Sequence, residues 1–159
     1  MTERILAIVT FAAAMGAGAI GGVFFAFSSF VMGALARLPA PHGIAAMQSI
    51  NVVVINPLFL GVLFGTGALG IGLIAAVLLR WQVPGAAYLL AGGVVYFVGC
   101  ILVTMLGNVP RNNALAAWDP TAAEAAALWG DFVSAWTAWN HVRAVASLVA
   151  SGLFILALI

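Results

Sequence analysis

The sequence predicts an all-α fold, an integral membrane four-helix bundle with short extra-membrane helices, and three observations predict it. The 159-residue chain is 65% hydrophobic and only 6% charged, where about a quarter is usual. Its few charges leave three long uncharged runs, residues 5–36, 43–79 and 81–110, and a fourth, 132–159, whose only ionisable groups are His141 and Arg143. Each run is long enough to cross a hydrocarbon core ~30 Å thick, which takes about 20 apolar residues. A soluble bundle would need a charged outer face, and this chain does not carry one. We therefore expect one transmembrane domain with spans over 5–35, 57–79, 84–107 and 132–158.

The first span begins after Glu3 and Arg4. The patch AAAMGAGA, Ala12 to Ala19, imitates a signal-peptide cleavage site, but Glu3 spoils the basic leader and the apolar run continues past it, so a retained span is expected. Gly18 and Gly22 have the GxxxG spacing that lets helix backbones approach closely in lipid. That spacing serves either a neighbouring span or a second copy of the chain. Gly61 and Gly65 repeat it in span two, so a homo-oligomer through glycine-rich spans is an expectation. FFAFSSF, Phe24 to Phe30, either packs or lines an aromatic pocket, in which Phe27 is a candidate.

RLPAPHG, Arg37 to Gly43, ends the first span. The run from Gly43 to Leu79 would make a helix of about 55 Å, too long for one straight span. Pro57, which lacks a backbone donor, is expected to divide it into a lead-in segment and span two. Gln48 and Asn51, three residues apart, share one face of the lead-in. Arg80 and Trp81 form the expected interfacial anchor at the far end. After span three comes GNVPRNN, Gly107 to Asn113. Pro110 biases Val109 away from helix, and Asn112 is suited to cap a short helix NALAAW. DPTAAE then carries two start signals, Asp119–Pro120 and the Thr121/Glu124 capping box, and a helix is expected from about residue 120.

On that last helix Trp129, Trp136, Asn140, Arg143 and Ser147 fall within about 60° of one another. His141 lies about 100° round from Asn140, so both faces cannot be central to one site. An ionisable residue inside a span faces a cavity, water or a partner. For Arg143 the plainer alternatives are snorkelling or pairing with Asp131 or Glu124; for His141, a bond to a neighbouring helix. Alternating spans bring Arg37, His42, Gln48, Asn51, Asn108, Arg111, Asn112, Trp136, Asn140, His141 and Arg143 to one side, against Glu3, Arg4, Arg80 and Gln82 on the other. One polar end on a bland bundle is a candidate site.

Other chemistries find little support. A net charge of +1 argues against nucleic acid. There is no CxxC, phosphate loop or nucleophile elbow, and Cys100 is the single cysteine. Two histidines are too few for a typical catalytic zinc site. Haem ligation by His141 and His42 stays open, because haem needs only one or two axial ligands. Arginines near the loops are almost evenly divided, so orientation is undecided.

Taken in order, FFAFSSFVMGAL, GIAAMQSIN with a following NP, GNVPRNNAL and WTAWNHVR resemble the anthrone oxygenase-like family of small four-span membrane proteins. The resemblance covers nearly the whole chain. It implies oxidation of an anthrone at its methylene carbon by molecular oxygen, without an established cofactor, and a bacterial member would lie in the inner membrane. Residue by residue it points to Asn51, Asn108, Pro110, Asn112, Trp136, Asn140, His141 and Arg143. Such a reaction needs a base, donors for an oxyanion and a flat apolar slot. His141 is the candidate base. Asn108, Asn140 and Arg143 are the candidate oxyanion donors, and Trp136 with Phe27 the candidate slot. Gln48, Asn51 and Asn112 complete the expected substrate-binding set. The rival expectation is a non-enzymatic protein that binds a lipid, a quinone or a partner protein at the same end.

Overall fold

The computed structural model describes residues 3–79 and 83–159; the anchor pair Arg80–Trp81 and Gln82 lie outside them. Five helices account for most of the described chain: α1 (Glu3–Ala36), α2 (Ala40–Val53), α3 (Pro57–Leu79), α4 (Ala86–Ala116) and α5 (Ala123–Leu156). All but α2 are long and apolar enough to cross a membrane. α1 packs on α5 and α3, and α4 packs on α5 and α3, so each long helix touches its chain neighbours and the bundle closes between first and last. Helices α1 and α5, each of 34 residues, are about 50 Å long. They outreach the hydrocarbon core, and α2 packs against the ends of α1 and α4 and the start of α5.

The α2–α3 break is written in Asn56 and Pro57. Asn56 Oδ1 accepts the Phe59 N–H at 3.0 Å while its Nδ2 donates to the Val53 carbonyl at 2.9 Å. One side chain thus closes α2 and opens α3, with proline in the first turn where a missing donor costs nothing. Gly85, before α4, has φ 69°, and an added Cβ would stand 2.9 Å from the Ala157 backbone, so glycine alone suits the position.

Three sequence expectations are overturned. Val109 is helical, and α4 runs through Pro110 to Ala116. The π-helical turn Thr104–Asn108 precedes the proline, and its wider spacing relieves the crowding that a proline ring imposes on the preceding turn of an α-helix. Asn112 therefore lies inside a helix instead of capping one. Helix α5 starts at Ala123, behind an extended Ala122 that offers no side-chain cap. Asp119 serves the loop instead: its Oδ1 accepts both the N–H and the hydroxyl of Thr121, each at 2.8 Å. These bonds hold the exposed carboxyl below its usual range. A carboxyl with a depressed folded-state pKa supports its turn above its ordinary pKa and loses that support as pH falls through the depressed value.

Two apolar cores result. One fills the bundle, from Ala13, Ala17 and Phe24 to Leu73, Tyr96, Ala150 and Phe154. The second lies at the α2 end and joins Met32, Leu35, Ile44, Met47, Leu115, Trp129, Phe132 and Trp136. On α1, α4 and α5 alike, the stretch between the two cores carries the polar side chains.

Glycines tighten the first core. A Cβ on Gly21 would meet the Leu148 backbone nitrogen at 3.2 Å, and one on Gly18 the Ser151 hydroxyl at 3.2 Å. Gly18 therefore packs within the chain, whereas Gly22, Gly61 and Gly65 have nothing within 4 Å. Gly21→Val should lower thermal stability in detergent by about 1–3 kcal/mol, the usual cost of overpacking. Gly22→Val should leave it within about 0.5 kcal/mol. Equal effects of the two changes would contradict the α1–α5 contact.

Candidate functional site

The polar layer is built on helix α5, where Asn140 and Arg143 stand one turn apart and both face inward. Asn140 is 0% and Arg143 5% exposed. Arg143 Nη2 donates to Asn140 Oδ1 at 2.7 Å, and Nη1 donates to Thr104 Oγ1 at 3.4 Å. Asn140 Nδ2 donates to the Phe24 carbonyl and to Ser28 Oγ, each at 2.7 Å. The guanidinium is thereby tied to α4 directly and to α1 through Asn140. Aromatic rings flank it: its central carbon lies 4.1 Å from the Phe24 centroid and 5.2 Å from that of Trp136. Such contacts favour a cation. Among the described residues no carboxylate pairs with Arg143; Asp131 and Glu124, the partners considered from sequence, are both exposed. An arginine at mid-membrane costs about 2.5–3.5 kcal/mol on insertion scales, so its inward placement is enforced.

Asn108, also 0% exposed, donates through Nδ2 to the Trp136 carbonyl at 3.1 Å. Trp136 Nε1 donates to Asn112 Oδ1 at 2.7 Å, and its ring meets that of Phe27 at 5.7 Å between centroids. Three atoms of the layer have no protein partner: Arg143 Nε, Asn108 Oδ1 and Ser147 Oγ. Buried groups left so are uncommon and ask for an explanation.

The backbone that presents them is unusual. On α4, Gly92, Tyr96, Cys100, Thr104 and Asn108 recur every fourth residue and all are buried. In a 3.6-residue helix each such step drifts by about 40°, and the five would spread over about 160°. Two π-helical stretches, Phe97–Leu102 and Thr104–Asn108, take up the surplus. The N–H of Val109, for example, bonds to the Thr104 carbonyl five residues back. A third stretch, Phe27–Val31, does the same on α1 around Ser28. π turns gather at functional sites.

Not every expected residue joins this layer. Gln48 Nε2 donates to the Leu115 and Trp118 carbonyls at 2.9 and 3.0 Å. It fastens α2 to the end of α4, where the last carbonyls of a helix lack intrahelical donors. Asn51 is half-buried with its Nδ2 unpartnered. His141 is exposed on the outward face of α5, and His42 is exposed on α2. Among the described residues, no three His, Cys, Asp or Glu side chains gather as metal ligands would. Conversely, Phe24, Ser28 and Thr104 belong to the layer: the first two lie in the FFAFSSF stretch expected to pack or line an aromatic pocket, and Thr104 lies outside the expected set. The four-residue recurrence was the available signal for Thr104.

With this geometry in hand, comparison with known proteins gives one match. The sequence model of anthrone oxygenases matches residues 58–153, more than half of the chain. The chain belongs to the anthrone oxygenase family. The matched part of this family member holds Asn108, Asn112, Trp136, Asn140 and Arg143, while Phe24, Phe27, Ser28, Gln48 and Asn51 come before it. No curated protein and no solved structure matches the chain.

Removing the Asn140 amide should be costly, because it strands a buried cation. Asn140→Leu should lose at least about 1.5–3 kcal/mol, the worth of a hydrogen bond to a charged group. His141→Gln, at an exposed position, should change stability by no more than about 0.5 kcal/mol. Thermal unfolding of the two variants in one detergent measures both.

Proposed function

We propose that this membrane protein oxidises an anthrone-like aromatic with molecular oxygen at the polar layer, in a bacterial inner membrane. Arg143 carries the reading. Its guanidinium is buried, its two terminal nitrogens are held by neutral groups only, and its Nε has no partner. Family membership supports the reaction class.

The chemistry asks little of the protein beyond charge stabilisation. An anthrone that loses a proton becomes an electron-rich oxyanion, which reduces oxygen. A carbon–oxygen bond forms at the methylene carbon, and loss of water from the hydroperoxide leaves the quinone carbonyl. One oxygen molecule is consumed and one water formed. Arg143 holds the oxyanion, Asn140 and Thr104 fix the guanidinium, and Asn108 accepts from a ligand hydroxyl. Donors set in place in a dry site lower the barrier because they need no reorganisation. Phe27, Ser28 and Asn112 are half-buried and form the edges of the layer. A flat aromatic ligand enters beside Phe27 and Ser28 and lies against Trp136.

Purified protein mixed with a hydroxylated anthrone should consume oxygen and yield the quinone chromophore faster than detergent alone. Arg143→Gln should reduce turnover by about 10²–10³-fold, as the loss of one oxyanion donor does elsewhere. Uptake no faster than the detergent blank rejects the reading. A quinone or lipid bound at the same layer without oxygen consumption would favour the non-enzymatic alternative.

A further inference from the structure

We infer that the layer holds its ligand as the anion, the ligand's proton going to water, so that no side chain serves as the base. This rests on the proposed location of the ligand beside Arg143, and it concerns the step before any oxygen reacts.

The titratable groups around the layer support it. Helix α5 contributes Arg143, whose guanidinium stays protonated in proteins, while the neighbouring His141 is exposed on the outward face. Phe24 and Ser28 of α1 carry no titratable group, and neither does Phe59, the α3 ring that packs on Phe24. Helix α4 contributes Cys100 and Tyr96, which lie beside each other and, through Cys100, near Ser147 and Arg143; its Arg111 donates to the Gly107 carbonyl and lies over the Trp139 ring. Cys100 and Tyr96 are both neutral acids in water at neutral pH and neither is a resident counter-anion there. The carboxylates Glu3, Asp119, Glu124 and Asp131 are all exposed on the outer helical ends and loop. The unpartnered acceptors of the layer are an amide oxygen and a hydroxyl, which are not bases near neutral pH. A layer with a buried positive charge at Arg143 and, among the described residues, no counter-charge and no base beside it is complementary to a monoanion. The step is a simple dissociation: the ligand's O–H bond breaks, its electron pair stays on oxygen, and the proton goes to water or buffer. The ligand class is a planar phenolate or enolate.

Alizarin, a hydroxylated anthraquinone dye that is yellow when neutral and red as its anion, tests this without turnover. Its visible spectrum is titrated against pH in detergent alone and with excess protein. With wild-type protein the midpoint should fall by at least about one pH unit, equivalent to a tenfold preference for the anion. Arg143→Lys keeps the charge and should keep most of the fall, whereas Arg143→Gln should abolish it. His141→Gln and Cys100→Ala should keep it. A wild-type midpoint equal to or above that in detergent overturns the inference, as does failure of the dye to bind. Loss of the fall in His141→Gln or Cys100→Ala overturns it as well, because a second group would then be required. Should Arg143→Gln not fold, the wild-type and Arg143→Lys titrations still decide. A lowered midpoint in a protein that consumes no oxygen with anthrone would refute the proposed oxidation and leave this inference standing. Oxygen consumption with an unshifted midpoint would do the reverse.

Discussion

The bond from Arg143 to Asn140 is the constraint on which the rest of the layer depends. A guanidinium inside an apolar bundle is tolerated only where neighbouring groups replace the water it has lost. Here the replacement comes from three helices. Asn140 accepts from the cation and, with its amide hydrogens, holds the Phe24 carbonyl and Ser28 of α1. Thr104 of α4 takes a second guanidinium nitrogen. Asn108 then ties α4 back to the Trp136 carbonyl on α5. The bundle is thus cross-linked at one level by polar bonds, and above and below that level by apolar packing. Neutral partners accept from two of the guanidinium nitrogens without cancelling the charge, and that residual charge distinguishes the layer from a structural ion pair.

Much of this was legible in sequence. Four runs nearly free of charge could only be spans, and the wheel drawn on the last of them placed Trp129, Trp136, Asn140, Arg143 and Ser147 together. All five are buried, because α5 is α-helical throughout. The same wheel set His141 apart, and the structure has it facing outward. What stayed hidden has physical reasons. Asn112 and Asp119 look like helix caps because short polar side chains favour caps in general. Here the tryptophan indole of another helix engages the first, and a tight turn with Thr121 engages the second. Pro110 reads as a break because local sterics say so, and those sterics change when the preceding turn widens. Ser28 gave no sign of its role and Thr104 only its place in the four-residue recurrence, since each is meaningful only against a side chain more than thirty residues away.

Between layer and membrane surface sits α2, which the sequence presents as a lead-in to a span and the structure makes a cover. Its buried face of Gly43, Ile44 and Met47 closes the second core, and Gln48 bolts it to the Leu115 and Trp118 carbonyls at and just past the end of α4.

The π turns carry a consequence for descent. Each is one residue more than an α-helix needs, as a single-codon insertion into a span would leave behind. A relative lacking that residue would have its whole downstream segment turned by about 100°, carrying Asn108 out toward the acyl chains. Related sequences aligned through α4 should therefore tolerate gaps in the loops and refuse them between Tyr96 and Asn108. A single-residue gap there would mark a branch that has given up the polar layer and whatever that layer does.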